Sequence, residues 1–195
     1  NAFLHGELDH PIYMRQPDGF YTGDANITCK LNKTLYGLKQ SPKEWYEVLS
    51  AGLTSFGFNS CEYDRALWSG RFGNHAVHLL HWVDDIIIAS NSKTVLNDVK
   101  TKILSKFKGR DLGDVEQYLN IKIRRNRQLK TLQLSQPTHV SELLEKFNLL
   151  DCKPRTVPML SSADVSKIKT NENPFESKRK YQECVGGLMY ISSVS

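Results

Sequence analysis

Two adjacent carboxylates, Asp84 and Asp85, stand inside the most apolar run of the chain, "HLLHWVDDIIIAS" from His78 to Ser90. Like charges side by side repel by about 1 kcal/mol at 4 Å in water, and several-fold more where the dielectric is lower. One reading is a hairpin turn. Two-residue turns, however, favour Asn-Gly or Asp-Gly, because their central positions need positive φ, and Asp-Asp brings no glycine. The other reading is a metal site. Carboxylate oxygens are the preferred ligands of Mg²⁺, and a divalent cation turns the local repulsion into attraction. Neighbouring side chains on a strand point to opposite faces, but at a tight hairpin tip both can reach one side. A metal pair held by aspartates is a recurrent device for in-line phosphoryl transfer. Such a site needs a further carboxylate from another element, and Glu7, Asp9 and Asp64 are the acidic candidates.

Other constellations are weaker. His75, His78 and His81 are spaced as metal ligands on a helix would be, but the flanking Val, Leu and Leu favour a strand, on which His78 faces away from the other two. The serines, cysteines and histidines form no nucleophile motif. "LYGLKQ" has one glycine in a short loop, too little by itself to cradle phosphate. The basic run Lys122, Arg124, Arg125, Arg127 and Lys130 suits either a nucleic-acid backbone or the solvated face of a hairpin. Lys178, Arg179 and Lys180 precede a helix as a solvated cluster.

The elements that must hold the carboxylates follow from periodicity. Apolar stretches on both sides of Asp84-Asp85, from Ala76 to Ala89, predict a β-hairpin. Before it, Ser41, Pro42 and Glu44 predict a helix opened by an S-x-x-E capping box. Trp45, Leu49, Leu53 and Phe56 form its stripe and Gly57 its stop. After it, Val95, Leu96, Val99, Ile103 and Phe107 predict a second helix, ended near Gly109. "NAFLHGEL" reads as a short element and "PIYMRQPDGF" as an extended segment ending in a turn at Pro17-Asp18-Gly19. "CKLNKTLYGLKQ" reads as strand and loop. A second hairpin alternates apolar and basic residues around Asn126. Pro137 opens a helix with Val140, Leu143, Leu144 and Phe147 on one face. A polar, proline-bearing linker lies near 152–174, and a last helix follows with Tyr181, Val185, Leu188 and Met189 as its stripe. Strands and helices intermix without strict alternation, so the class is α+β.

The chain has 195 residues, 39% hydrophobic and 24% charged, enough for a core. Its 26 Lys and Arg against 21 Asp and Glu leave a formal charge of +5, a modest lean toward a polyanionic partner. The four cysteines, at 29, 61, 152 and 184, have no close spacing and fit a reduced, intracellular chain. No apolar run reaches the roughly 20 residues of a membrane span, and no leader is seen. Beginning on Asn1 with apolar residues at once, the chain reads as a piece cut at both ends.

Together these stretches resemble the reverse transcriptase of copia-type retrotransposon Pol polyproteins. "NAFLHGEL…IYMRQPDGF" is similar to that family's D-V-x-x-A-F-L-x-G-x-L…I-Y-M-x-Q-P-x-G-F. "KTLYGLKQSPKEWY" resembles L-Y-G-L-K-Q-S-P-R-x-W-Y, and "WVDDIIIAS" stands where the family has Y-V-D-D. "DLGDVEQYLNIKI", "LSQPTHVSELLEKFNLL" and "YQECVGGLMYIS" resemble its later blocks, in order over nearly the whole chain.

The resemblance implies a right-hand polymerase, with a ferredoxin-like palm sheet carrying helices on one face. Fingers and palm would occupy 1–134, and the start of a helical thumb or connection 135–195. It implies RNA-directed DNA synthesis with two Mg²⁺ ions on Asp84 and Asp85. Its partners would be deoxynucleoside triphosphates, an RNA template and a DNA primer. It further implies a polyprotein with integrase upstream and ribonuclease H downstream, in a cytoplasmic virus-like particle or the nucleus. Phe3 would be the steric gate against a ribose 2′-hydroxyl. Gly37, Lys39 and Gln40 would line the nucleotide, and Ser41 and Pro42 the template. Tyr118, Leu119 and Asn120 would fall at the primer grip. The sequence departs from the family at Trp82, where the family has Tyr, and at Asn120, where it has Gly. The family's first catalytic Asp would lie upstream of Asn1, which makes this chain alone inactive. The rival expectation is a decayed or repurposed element that binds nucleic acid without chemistry.

Overall fold

The computed structural model describes residues 2–24, 26–157 and 178–194. They fall into two compact units, Asn1–Gly113 and Asp114–Ser195.

The first unit opens on a 3₁₀ turn, Ala2–His5, and an antiparallel pair, β1 (Tyr13–Arg15) with β2 (Thr28–Lys30). The turn expected after β1 forms: the Phe20 N–H donates to the Pro17 carbonyl at 3.0 Å, and Gly19 takes φ +82°. Helix α1 (Ser41–Ser55) follows, then the strands β3 (Phe58–Ser60), β4 (Leu67–Phe72), β5 (His75–Trp82) and β6 (Asp85–Ser90), and helix α2 (Lys93–Lys106).

Strands β3 to β6 make one antiparallel sheet in chain order. The α+β class is therefore seen, but the ferredoxin-like strand order is not formed by these residues. The β4–β5 and β5–β6 connections hold two residues each, between the pairs Phe72↔His75 and Trp82↔Asp85. Links that short can only join neighbouring antiparallel strands. Val77 and Leu79 of β5 point inward and share one buried cluster with Leu49 and Leu53 of α1 and Val99 and Ile103 of α2. Both helices thus cover the same sheet face. Each such side chain contributes about 1.5–3 kcal/mol on leaving water. Gly52 of α1 is needed for closeness, since a Cβ there would lie 2.5 Å from the Phe107 ring.

The two helix starts differ from each other. Ser92 caps α2, its hydroxyl accepting from the Val95 N–H. The capping box at Ser41 does not form. Ser41 is fully buried as the first helical residue, its hydroxyl donates to the Leu35 carbonyl at 2.5 Å, and Gln40 takes the cap position without a side-chain bond.

The second unit holds an antiparallel sheet of β7 (Gln117–Tyr118), β8 (Ile121–Asn126) and β9 (Thr131–Ser135), with helices α3 (Pro137–Lys146) and α4 (Lys178–Val194). The second hairpin turns after Asn126, whose side chain accepts from the Gln128 and Leu129 N–H groups. On α4 the apolar stripe is misassigned by periodicity: Tyr181, Leu188 and Met189 are exposed, and only Val185 is half-buried. The packed side instead carries Gly187, where a Cβ would meet Leu143 of α3 at 2.6 Å, and Glu183, paired with Lys146 at 3.0 Å. Most of the expected linker, residues 158–174, lies outside the described residues, and residues 152–157 have no regular structure.

Candidate active site

The carboxylate pair sits at the tip of the β5–β6 hairpin. The ladder's last pair is Trp82↔Asp85, so the two loop residues are Val83 and Asp84, not the two aspartates. Val83 takes φ +51°. A β-branched residue there is a backbone outlier, at a cost of about 1–3 kcal/mol. The N–H of the buried Trp45 indole donates to the Val83 carbonyl at 2.8 Å, holding the turn from helix α1.

Both aspartates are exposed. The Tyr36 hydroxyl donates to Asp84 Oδ1 at 2.8 Å, and the Ala2 N–H to Oδ2 at 3.3 Å. The hydrogen bond to Asp84 holds the Tyr36 phenol above its ordinary range, helped by partial desolvation and the charges of Asp84 and Asp85. Tyr36 therefore remains a donor at neutral pH. Its segment is fixed on both sides, because Ser41 holds the Leu35 carbonyl and the buried Thr34 hydroxyl donates to the Phe3 carbonyl.

Phe3 is buried and, with Leu4, Leu35 and Tyr36, lines a cavity of about 310 Å³. Gly37 takes φ +95° with open space around it, a backbone that favours glycine. Lys39 and Pro42 are exposed, Gln40 is half-buried, Ser41 is turned inward, and the Trp82 ring is 59% exposed. In the second unit, Leu119 and Asn120 form the two-residue β7–β8 turn with φ +48° and +66°, and Tyr118 flanks it in the pair Tyr118↔Ile121.

Asp84 and Asp85 are the groups able to hold a hard divalent cation, which is commonly bound by one or two carboxylates together with water and phosphate oxygens. Among the described residues no third carboxylate joins them. Among the described residues no cluster of three or more His, Cys, Asp or Glu is placed to hold a metal ion. Glu7 faces Lys33, Asp9 faces His10, and Asp64 accepts from the Ala66 N–H. His78 bonds Ser69 and His75 bonds Asn91, while His81 lies buried. Sequence reasoning missed Tyr36 altogether and read Trp45 only as core. The signal for both was their place in "LYGLKQSPKEWY", beside residues already singled out.

The family described as "Reverse transcriptase (RNA-dependent DNA polymerase)" matches residues 1–161, and the chain belongs to that family. Its relatives include the retrovirus-related Pol polyprotein from transposon TNT 1-94 of Nicotiana tabacum, 37% identical over 97% of this chain. The retrovirus-related Pol polyprotein from transposon RE1 of Arabidopsis thaliana is 36% identical over 98% of the chain. A putative transposon Ty5-1 protein of Saccharomyces cerevisiae is 25% identical over 98% of the chain, which spans 62% of that protein. The chain spans only 15% of the tobacco polyprotein and 13% of the Arabidopsis one. No solved structure matches it. No helix among the described residues is long and apolar enough to cross a membrane.

Proposed function

We propose that the chain supplies the metal-binding carboxylates of an RNA-directed DNA polymerase acting within a transposon Pol polyprotein. The observation that carries this reading is the exposure of Asp84 and Asp85, side by side at a hairpin tip, inside the segment that matches the reverse transcriptase family. In the reaction, a primer 3′-oxygen attacks the α-phosphorus of a deoxynucleoside triphosphate templated by RNA. A P–O bond forms as the α–β bridge breaks, and pyrophosphate leaves. Mg²⁺ ions held by Asp84 and Asp85 would activate the hydroxyl and neutralise the phosphates.

The remaining roles belong to the chain's own residues. The Val83 turn directs both carboxylates outward. Phe3, with Tyr36 beside it, bounds the sugar and excludes a 2′-hydroxyl. Gly37 permits close backbone approach, Lys39 and Gln40 face the triphosphate, and Trp82 offers its exposed ring to the primer. Ser41 and Pro42 shape the template side, and Tyr118, Leu119 and Asn120 form the primer grip. Fingers and palm take 1–134 and the thumb or connection 135–195.

With two carboxylates gathered at the tip and no third beside them among the described residues, this chain alone holds Mg²⁺ weakly and extends no primer. Primer extension on a poly-A template tests the proposal, comparing this chain with a longer protein from the same coding sequence. Extension by the longer protein, abolished by Asp84→Asn or Asp85→Asn, is expected. Extension that survives both substitutions would overturn it. Salt-sensitive hybrid binding with no response to Mg²⁺ would favour the decayed element instead.

A further inference from the structure

We infer that Trp45 and Tyr36 are positioning residues for the aspartate pair, Trp45 fixing the backbone of the turn and Tyr36 the carboxylate of Asp84. The inference rests on the proposed metal site and assigns roles to two side chains outside it.

The turn cannot hold its own shape cheaply, because Val83 is β-branched and lies at φ +51°. What fixes it is a hydrogen bond from a side chain that itself has little freedom. The Trp45 indole is 6% exposed and is packed edge-on by Phe107, with ring centroids 5.5 Å apart and planes at 80°, while His5 lies 5.6 Å away. Phe107 reaches that place because Gly52 leaves room for its ring. The line from Gly52 through Phe107 and Trp45 to the Val83 carbonyl therefore transmits the packing of α1 against α2 to the tip.

Tyr36 acts on the side chain in the same way. Its hydroxyl takes one position on Asp84 Oδ1 and the Ala2 N–H one on Oδ2. The two bonds restrict the rotation of the carboxylate, and the residue itself is exposed. Outer groups that orient a metal ligand in this manner commonly change metal affinity 10- to 100-fold when removed.

The test uses the ¹⁵N-labelled 195-residue chain, with Mn²⁺ as a paramagnetic probe that reports even weak binding by broadening nearby amide signals. In the unaltered chain, the amides of Asp84 and Asp85 broaden first. Trp45 is replaced by 3-benzothienylalanine, which keeps the shape of the indole and drops only its N–H, so folding is preserved; Trp45→Phe is the simpler companion. Tyr36→Phe removes the other donor from a side chain that is already 61% exposed. Each replacement is expected to raise the Mn²⁺ concentration needed for equal broadening about tenfold. Adding Val83→Gly to the benzothienylalanine protein should recover several-fold of the loss, since glycine takes positive φ without an anchor. A purely structural role for the ring gives no such recovery. If both single replacements bind Mn²⁺ like the unaltered chain, the positioning roles are wrong and the metal site stands. If the unaltered chain shows no broadening at Asp84 and Asp85, the metal site and the inference fall together.

Discussion

The ring of Tyr36 rests edge-on against Phe3, their centroids 4.4 Å apart and their planes at 64°. This contact joins the residue proposed as the sugar gate to the one that holds Asp84. It also gives Phe3 two duties, because its side chain is only 6% exposed and belongs to the unit's core. Phe3→Ala should therefore cost about 3–5 kcal/mol of stability, whereas Tyr36→Phe, at an exposed site, should cost about 1 kcal/mol or less. Urea unfolding of the two variants checks this. Equal losses would show that Phe3 is not anchored as the cavity geometry implies.

Carboxylates with the cation-holding role proposed for Asp84 and Asp85 burden the fold that carries them. Asp85 is exposed beside Asp84, and replacing it by Asn removes a like-charge repulsion. Asp85→Asn should raise the Tm of the metal-free chain by about 1–3 °C. Asp84→Asn should not, because it also weakens the charge-assisted bonds from Tyr36 and Ala2. Calorimetry without divalent ions distinguishes the pair. A lowered Tm for Asp85→Asn would mean that its charge is structural.

Much of this site was legible because it depends on local pattern. The apolar runs around Asp84 and Asp85 had only one cheap arrangement, a hairpin, and the stripes of α1 and α2 pointed to the buried Leu49, Leu53, Val99 and Ile103. What was not legible depends on distant partners. Ser41 has the chemistry of a cap, but a carbonyl six residues earlier competes for its hydroxyl and wins because the site is buried. The reading of Asp84-Asp85 as the hairpin turn lies one residue late, since Val83 has the pattern of a strand residue. A valine at positive φ is affordable only where a donor such as Trp45 fixes its carbonyl, and no single-sequence rule pairs residues 38 positions apart. On α4, periodicity chose the largest apolar side chains, whereas close packing against Leu143 selected the smallest residue, Gly187.

Acid should weaken the first unit through His81. Burial pushes this imidazole below its usual range, against smaller opposing pulls from the Arg65 backbone and the Asp64 charge, and its neighbour on α1 is the Tyr46 ring, 6.0 Å away. Both ring nitrogens are buried. Because the folded pKa lies below the unfolded value of about 6.5, the unfolded chain binds the proton first. Stability is then full above that value, declines as the pH falls through it, and stops declining below the lowered folded pKa. Replacing His81 by Gln should remove this part of the pH dependence. Melting curves between pH 7.5 and 5 check it, and a slope unchanged by the substitution would assign the effect to carboxylates instead.

Asn120 stands where the sequence resemblance leads one to expect glycine, and the backbone accounts for the asparagine. With φ +66° it sits in the left-handed region beside Leu119 at +48°, in a two-residue turn closed by the pair Tyr118↔Ile121. Asparagine is among the few residues that enter this region routinely, and glycine enters it without steric cost. The substitution thus preserves the turn and adds a polar side chain at its exposed tip. Asn120→Gly should leave stability within about 0.5 kcal/mol, while Asn120→Ala should cost about 1–2 kcal/mol through left-handed strain. If the longer protein has the proposed polymerase activity and the side chain also hinders the primer, Asn120→Gly in it should lower the KM for primer–template at unchanged kcat. An unchanged KM would show that the residue at this turn answers to backbone conformation alone.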